Sequence, residues 1–320
     1  MKAKTEQSVF AKDTIKGLTS TNKYLLPKYF YNKKGSMIFQ EIMGMPEYYL
    51  TGCEFNIFKQ QSASICKSVI PKKYPFELIE LGPGDGKKSK ILLKTLSEIN
   101  LNFTYLPVDI SRHALNELSH SLNKEIPGIS IREKVGDFFR IMQELARENG
   151  MSKIILFLGS NIGNFLPEEM DSFLSLLAGL SSPGDKALIG FDKKKDPEVI
   201  MNAYNDPHGH TSHFNLNHLV RINEELNADF NISNFKHHTS YNPVTGAVKS
   251  YLVSTRDQSV FIEDLNTTIE FKKWEPIFME LSQKFNDHDI QALANRFGFE
   301  VEKNFTDENN YFTDSLWIKK

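Results

Sequence analysis

The rhythm of apolar and polar positions changes at Phe76. From there, short apolar runs ending in turn residues alternate with amphipathic stretches, the pattern of successive βαβ units. FELIEL (76–81), FTYLPVD (103–109), IREKVGD (131–137), IILFLG (154–159) and KALIGFD (186–192) read as strands. Between them, KSKILLKTLSEI, SRHALNELSHSL, FFRIMQELAREN and PEEMDSFLSLLAGL repeat apolar residues at three- and four-residue spacing, which predicts helices. The alternation predicts a parallel, doubly wound sheet. Upstream, residues 1–75 mix polar, aromatic and helical segments, and the stretch from Glu41 to Ile70 reads mostly as helix beyond Pro46.

From about 193 to 270 the alternation lapses in a stretch rich in Asn, His and Tyr. That length is unusual for a loop in a compact sheet, so it reads as inserted structure. KSYLVST (249–255), ADFNISN (228–234) and TIEFKKW (268–274) predict an antiparallel sheet within it. DIQALANRFGFEVEKNFTD and YFTDSLWIK then give a helix and a closing pair of strands, so the core resumes near 285.

Composition narrows the function. The 320 residues carry 38 Lys and Arg against 40 Asp and Glu, a net charge of −2. Without a concentrated positive field, nucleic acid and anionic membrane are poor partners, and a small molecule is expected. The longest apolar run, Ile154–Leu158, is far short of the ~18 residues of a bilayer span. The first residues lack an apolar signal core and include Glu6 and Asp13, which points to the cytoplasm. Two cysteines, Cys53 and Cys66, without CxxC spacing suggest free thiols.

Candidate chemistry gathers at strand ends. Glu80-Leu81-Gly82-Pro83-Gly84-Asp85-Gly86 follows the first strand, where a doubly wound sheet binds ligands and glycines let backbone approach them. The third glycine falls one residue short of the dinucleotide fingerprint, which disfavours a dehydrogenase. Asp109, at the end of the second strand, suits ribose hydroxyls, and Asp137, after Gly136, suits an adenine amino group. In that order the three form the pattern of a class I methyltransferase. Asn164, in GSNIGNFLP, offers uncharged amide groups at the same edge; taken alone, it reads equally well as a cap of the PEEM helix. His208, His210, His213 and His218 lack supporting cysteines or spaced carboxylates, so no metal is expected.

Several segments together resemble the S-adenosylmethionine-dependent histidine Nα-methyltransferases, which open ergothioneine biosynthesis. They are YFYNKKGSMIFQEIMGMPEYYLTGCE (29–54), ELGPGDGKKS (80–89), YLPVDIS (105–111), LGSNIGNFLPEE (158–169), AYNDPHGHTSHFNLNHL (203–219), FMELSQKF (278–285) and FTDENNYFTDSLW (305–317). The resemblance implies a class I Rossmann-like core over 61–195 and 286–320, with an α+β substrate-binding domain from 1–60 and 196–285, and histidine held between the two. It implies S-adenosylmethionine on Glu80, Gly82, Gly84, Gly86, Lys88, Asp109 and Asp137, with S-adenosylhomocysteine as product. It implies Tyr31 and Phe39 beside the methyl-accepting nitrogen, Tyr48 in the histidine pocket, Asn164 and Tyr204 on the amino and carboxylate groups, and Glu280 and Ser282 on the imidazole. Tyr31, Tyr204 and Asn164 become the candidate catalytic residues. The expected enzyme is monomeric, uses no metal, and methylates histidine up to the trimethylated betaine. Gly52 and Ser250 depart from the family pattern. An enzyme for another amino acid, such as a tryptophan derivative, or a non-catalytic binding module are the alternatives; an indole's single N–H suits Glu280 poorly.

Overall fold

The computed structural model describes residues 8–148 and 150–320. In chain order come α1 (Val9–Leu18), α2 (Lys33–Gly44), α3 (Tyr49–Val69), β1 (Phe76–Leu81), α4 (Lys87–Glu98), β2 (Phe103–Asp109), α5 (Arg112–Glu125), β3 (Ser130–Ile131), β4 (Lys134–Val135), α6 (Phe138–Leu145), β5 (Ser152–Phe157), α7 (Pro167–Leu180) and β6 (Lys186–Asp192). Then follow α8 (Pro197–Tyr204), α9 (His210–Leu226), β7 (Phe235–Asn242), β8 (Ala247–Ser254), β9 (Gln258–Ile262), β10 (Thr267–Phe271), β11 (Pro276–Gln283), α10 (Asp287–Arg296), β12 (Phe299–Thr306) and β13 (Phe312–Lys319). The chain divides into two units. One holds the described part of Met1–Tyr49 with Lys195–Ser282, the other Leu50–Lys194 with Gln283–Lys320.

The second unit is built on an eight-stranded sheet ordered β12-β13-β6-β5-β1-β2-β3, with β4 also on β2. The strands from β6 to β3 and β4 run parallel, and β13 is antiparallel to both neighbours. β1 is buried at all six positions, as a central strand covered on both faces must be, so its apolar run is nearly continuous. α3 packs Ile57, Phe58, Ile65, Cys66 and Val69 against this core, so the second unit starts at Leu50, ahead of residue 60. The expected third strand at 131–137 is split into two short pairings, and Gly136 sits at φ 153 beyond them.

The first unit joins α1 and α2 to the inserted segment. Its sheets are β11-β8-β7 and the hairpin β9-β10. Two departures from the sequence reading stand out. The segment 193–270 opens with helices α8 and α9 ahead of its strands, and ADFNISN is no strand. Asn223 supplies the hydrogen bonds a strand partner would have given: its Oδ1 accepts the Phe230 N–H at 2.9 Å and its Nδ2 donates to the Phe230 carbonyl at 2.8 Å. Asn231 then caps a short 3-10 turn, accepting from the Ser233 N–H.

Candidate active site

In the second unit, the glycine loop leaves β1 with Gly82, Gly84 and Gly86 all left-handed, at φ 68, 58 and 65. A Cβ on Gly82 or Gly84 would meet open space, so bare backbone faces that side. A Cβ on Gly86 would lie 2.3 Å from Leu118 Cδ1. Gly86 is the residue before α4, and its left-handed backbone turns the chain into that helix. Glu80 lies beneath the loop, 2 % exposed. It accepts from the Tyr105 hydroxyl, and burial raises its carboxyl above the ordinary range despite bonds from Tyr105 and Ser89. Lys88, in the first turn of α4, pairs with Glu54; desolvation lowers its ammonium, but the charge and hydrogen bond of Glu54, together with the Asp314 and Glu80 charges, leave it raised.

Asp109 ends β2, accepts the Ser111 N–H at 2.8 Å, and is raised by burial. Asp137 caps α6, its Oδ1 accepting from Phe139 at 3.0 Å and Arg140 at 3.3 Å. The cap is a structural duty that the sequence did not announce for this residue. Asn164 is exposed at the end of a 3-10 turn over Asn161–Asn164, and α7 is capped instead by Leu166, whose N–H is accepted by Glu169. Asn164 is therefore not a helix cap.

The first unit gathers the other candidates. The Asn32 side chain caps α2, accepting the Gly35 N–H at 2.7 Å. Gly35 lies so close to the Phe30 carbonyl that a Cβ would fall 1.8 Å from its oxygen, and this tight turn carries Tyr31. The Tyr31 ring meets Phe39 edge-on at 5.4 Å between centroids, Phe39 meets Tyr48 at 6.3 Å, and Tyr48 meets Tyr204 at 6.4 Å. The Tyr204 hydroxyl lies 2.8 Å from Ser282 Oγ. Ser282 and Glu280 alternate on β11, and the buried Ser250 of β8 reaches Glu280 Oε1 at 3.4 Å. Desolvation, then the Glu280 charge, raises the Tyr31 phenol well above its ordinary range, although the residue is 52 % exposed overall. Its proton therefore stays on at neutral pH. α10 is capped by Asn286, so Ser282 is a strand residue and not a helix cap.

Two contributors were missed. Phe214 of α9 packs on Tyr31 at 5.6 Å and on Phe39 at 5.7 Å. Glu54 sits on the apolar stripe of α3 with Leu50, Ile57 and Phe58, and an acid on such a stripe is itself a sequence signal. Among the described residues, no group of three or more His, Cys, Asp or Glu side chains is placed to hold a metal. No helix among them is long and apolar enough to cross a membrane.

The strand order, the antiparallel β13 and the glycine loop at the carboxyl edge define a class I, S-adenosylmethionine-dependent methyltransferase. Residues 10–319 match the family described as "Histidine-specific methyltransferase, SAM-dependent", and the chain belongs to that family. It is 34% identical over 308 residues to the histidine N-alpha-methyltransferase of Mycobacterium tuberculosis, covering 96% of this chain and 94% of that one. It is 33% identical, with the same coverage, to the protein so named in Mycolicibacterium smegmatis. Ergothioneine biosynthesis protein 1 of Schizosaccharomyces pombe is 28% identical over 279 residues, 85% of this chain and 36% of that one.

Proposed function

We propose that the enzyme transfers the sulfonium methyl group of S-adenosylmethionine to the α-amino nitrogen of free L-histidine, three times in succession, giving the trimethylated betaine. The observation that carries the reading is the continuous cluster running from Tyr31 through Phe39 and Tyr48 to Tyr204 and Ser282, with Glu280 beside Ser282 on the same strand. It offers aromatic faces for an amine that becomes a fixed cation, and a carboxylate with a hydroxyl for an imidazole.

S-adenosylmethionine supplies an electrophilic methyl group when bound; Gly82, Gly84, Gly86, Lys88, Asp109 and Asp137 would hold it. An ammonium has no lone pair, so the acceptor must give a proton to water before each transfer. Tyr31 keeps its own phenol proton, so it orients the amine or a water rather than acting as a phenolate. Tyr204, paired with Ser282, fixes the substrate's polar end, and Asn164 is assigned to the amino and carboxylate groups. Positioning carries most of the rate, because the sulfonium needs no further activation.

Incubating the protein with S-adenosylmethionine and an equimolar mixture of the twenty amino acids tests this by mass spectrometry. Histidine should gain one, two and three methyl increments. A gain on another amino acid would overturn the imidazole assignment of Glu280 and Ser282, and a product stopping at one or two increments would overturn trimethylation.

A further inference from the structure

Glu54 closes the segment 29–54, yet neither the glycine loop nor the acids at the strand ends point to it. It is 1 % exposed, and a carboxylate so deeply buried is costly unless its charge is paired and its lone pairs are filled. Both oxygens are engaged, one with a loop and one with a helix start at the carboxyl edge of the sheet. Oε1 accepts the Gly159 N–H at 2.7 Å, in the loop that follows β5. Oε2 takes the ammonium of Lys88, in the helix that follows the glycine loop.

The surroundings are shaped to this carboxylate. A Cβ on Gly190, in β6, would come within 2.6 Å of Glu54 Oε1, so only glycine leaves the oxygen room. On the neighbouring β13, Asp314 is fully buried and neither carboxyl oxygen has a hydrogen-bond partner. Burial and the adjacent Glu54 charge raise its carboxyl well above the ordinary range, and a proton held on Asp314 gives the pair the hydrogen bond it otherwise lacks.

We propose that Glu54 is a positioning residue for S-adenosylmethionine binding: it fixes the Lys88 ammonium and the Gly159 amide in place before the cofactor arrives. A free lysine side chain loses rotamer freedom when it is ordered. Glu54 takes that loss out of the binding step, which is how pre-organisation raises affinity. The inference rests on the reading that Lys88 faces the cofactor.

Calorimetric titration of S-adenosylhomocysteine into the full-length protein, with Glu54→Gln, Lys88→Met, the double variant and Gly190→Ala, tests it. Glu54→Gln should weaken binding about tenfold or more, as expected for loss of a charge-assisted bond, and raise the KM for S-adenosylmethionine in step. The KM for histidine should stay put. Glu54→Gln added to Lys88→Met should cost less than it does alone, because one residue acts through the other. Gly190→Ala, which displaces Glu54 without changing charge, should also weaken binding and guards against a Glu54 variant that fails to fold. If Lys88→Met weakens binding and Glu54→Gln does not, or if kcat falls with both KM values unchanged, the inference is overturned. If Lys88→Met leaves binding intact, the cofactor reading of Lys88 falls first.

Discussion

Single side chains give the sharpest tests. Glu280→Ala removes the carboxylate assigned to the imidazole, so the KM for histidine should rise about tenfold or more, as for a lost hydrogen bond to a charged group. The affinity for S-adenosylhomocysteine should be untouched; an equal loss of both in titration would end the assignment. Asp314 makes a prediction of another kind. Its folded carboxyl keeps a proton that the unfolded chain, near its ordinary 3.8, has lost. Between those two values the folded state binds more protons, so this group's contribution to stability falls as pH rises. Asp314→Asn removes that loss, and melting curves across pH should show the variant more stable than wild type near neutrality, the gap closing below about pH 4. The Glu280 and Ser282 pair was reached through the family resemblance, and what the two-residue repeat of a strand adds is that both stand on one face of β11. Glu54 was not legible, because one acid on a helix stripe does not reveal which loops it will meet.

At the scale of elements, the glycine loop separates two kinds of constraint. Gly86→Ala brings a left-handed φ together with a Cβ crowding Leu118, and should cost about 1–3 kcal/mol in denaturant titrations. Gly84→Ala carries the backbone strain alone, about 1–2 kcal/mol, and should weaken S-adenosylhomocysteine more than it weakens the fold, since its Cβ enters the open side. The helix α9 supplies a third case. His218 is completely buried among Phe10, Tyr29 and Phe30, with neither ring nitrogen partnered, and burial lowers its pKa to about 3. Between there and the ordinary 6.5 the unfolded chain takes up a proton that the folded chain refuses, so acid destabilises the fold by up to about 1.4 kcal/mol per pH unit. His218→Leu should therefore flatten the acid limb of the stability profile. The same residue shows why α9 escaped the sequence: Asn215, Asn217 and His218 are buried where an amphipathic pattern demands apolar residues. α8 left a clearer trace, with Asp196 capping and Pro197 opening the helix.

For the whole molecule, the parallel core was the most legible part, because central strands such as β1 are buried on both faces and read as unbroken apolar runs. The first unit was harder. Its elements come from two distant stretches, and its strands β7, β9 and β11 mix buried and exposed positions with polar residues. Its interior joins Phe10, Leu18, Leu25, Phe30 and Ile42 to Phe214, Leu219 and Ile222. On a ribosome those two sets emerge far apart in time: at about 5–20 residues per second, the early apolar residues wait roughly ten to forty seconds for the helix that covers them. The central sheet is still open over the same interval, since β13, which sits between β6 and β12, is made almost last. The nascent chain thus carries exposed aromatic surface from both units through most of its synthesis, and its yield in a cell depends on what shelters it during that wait.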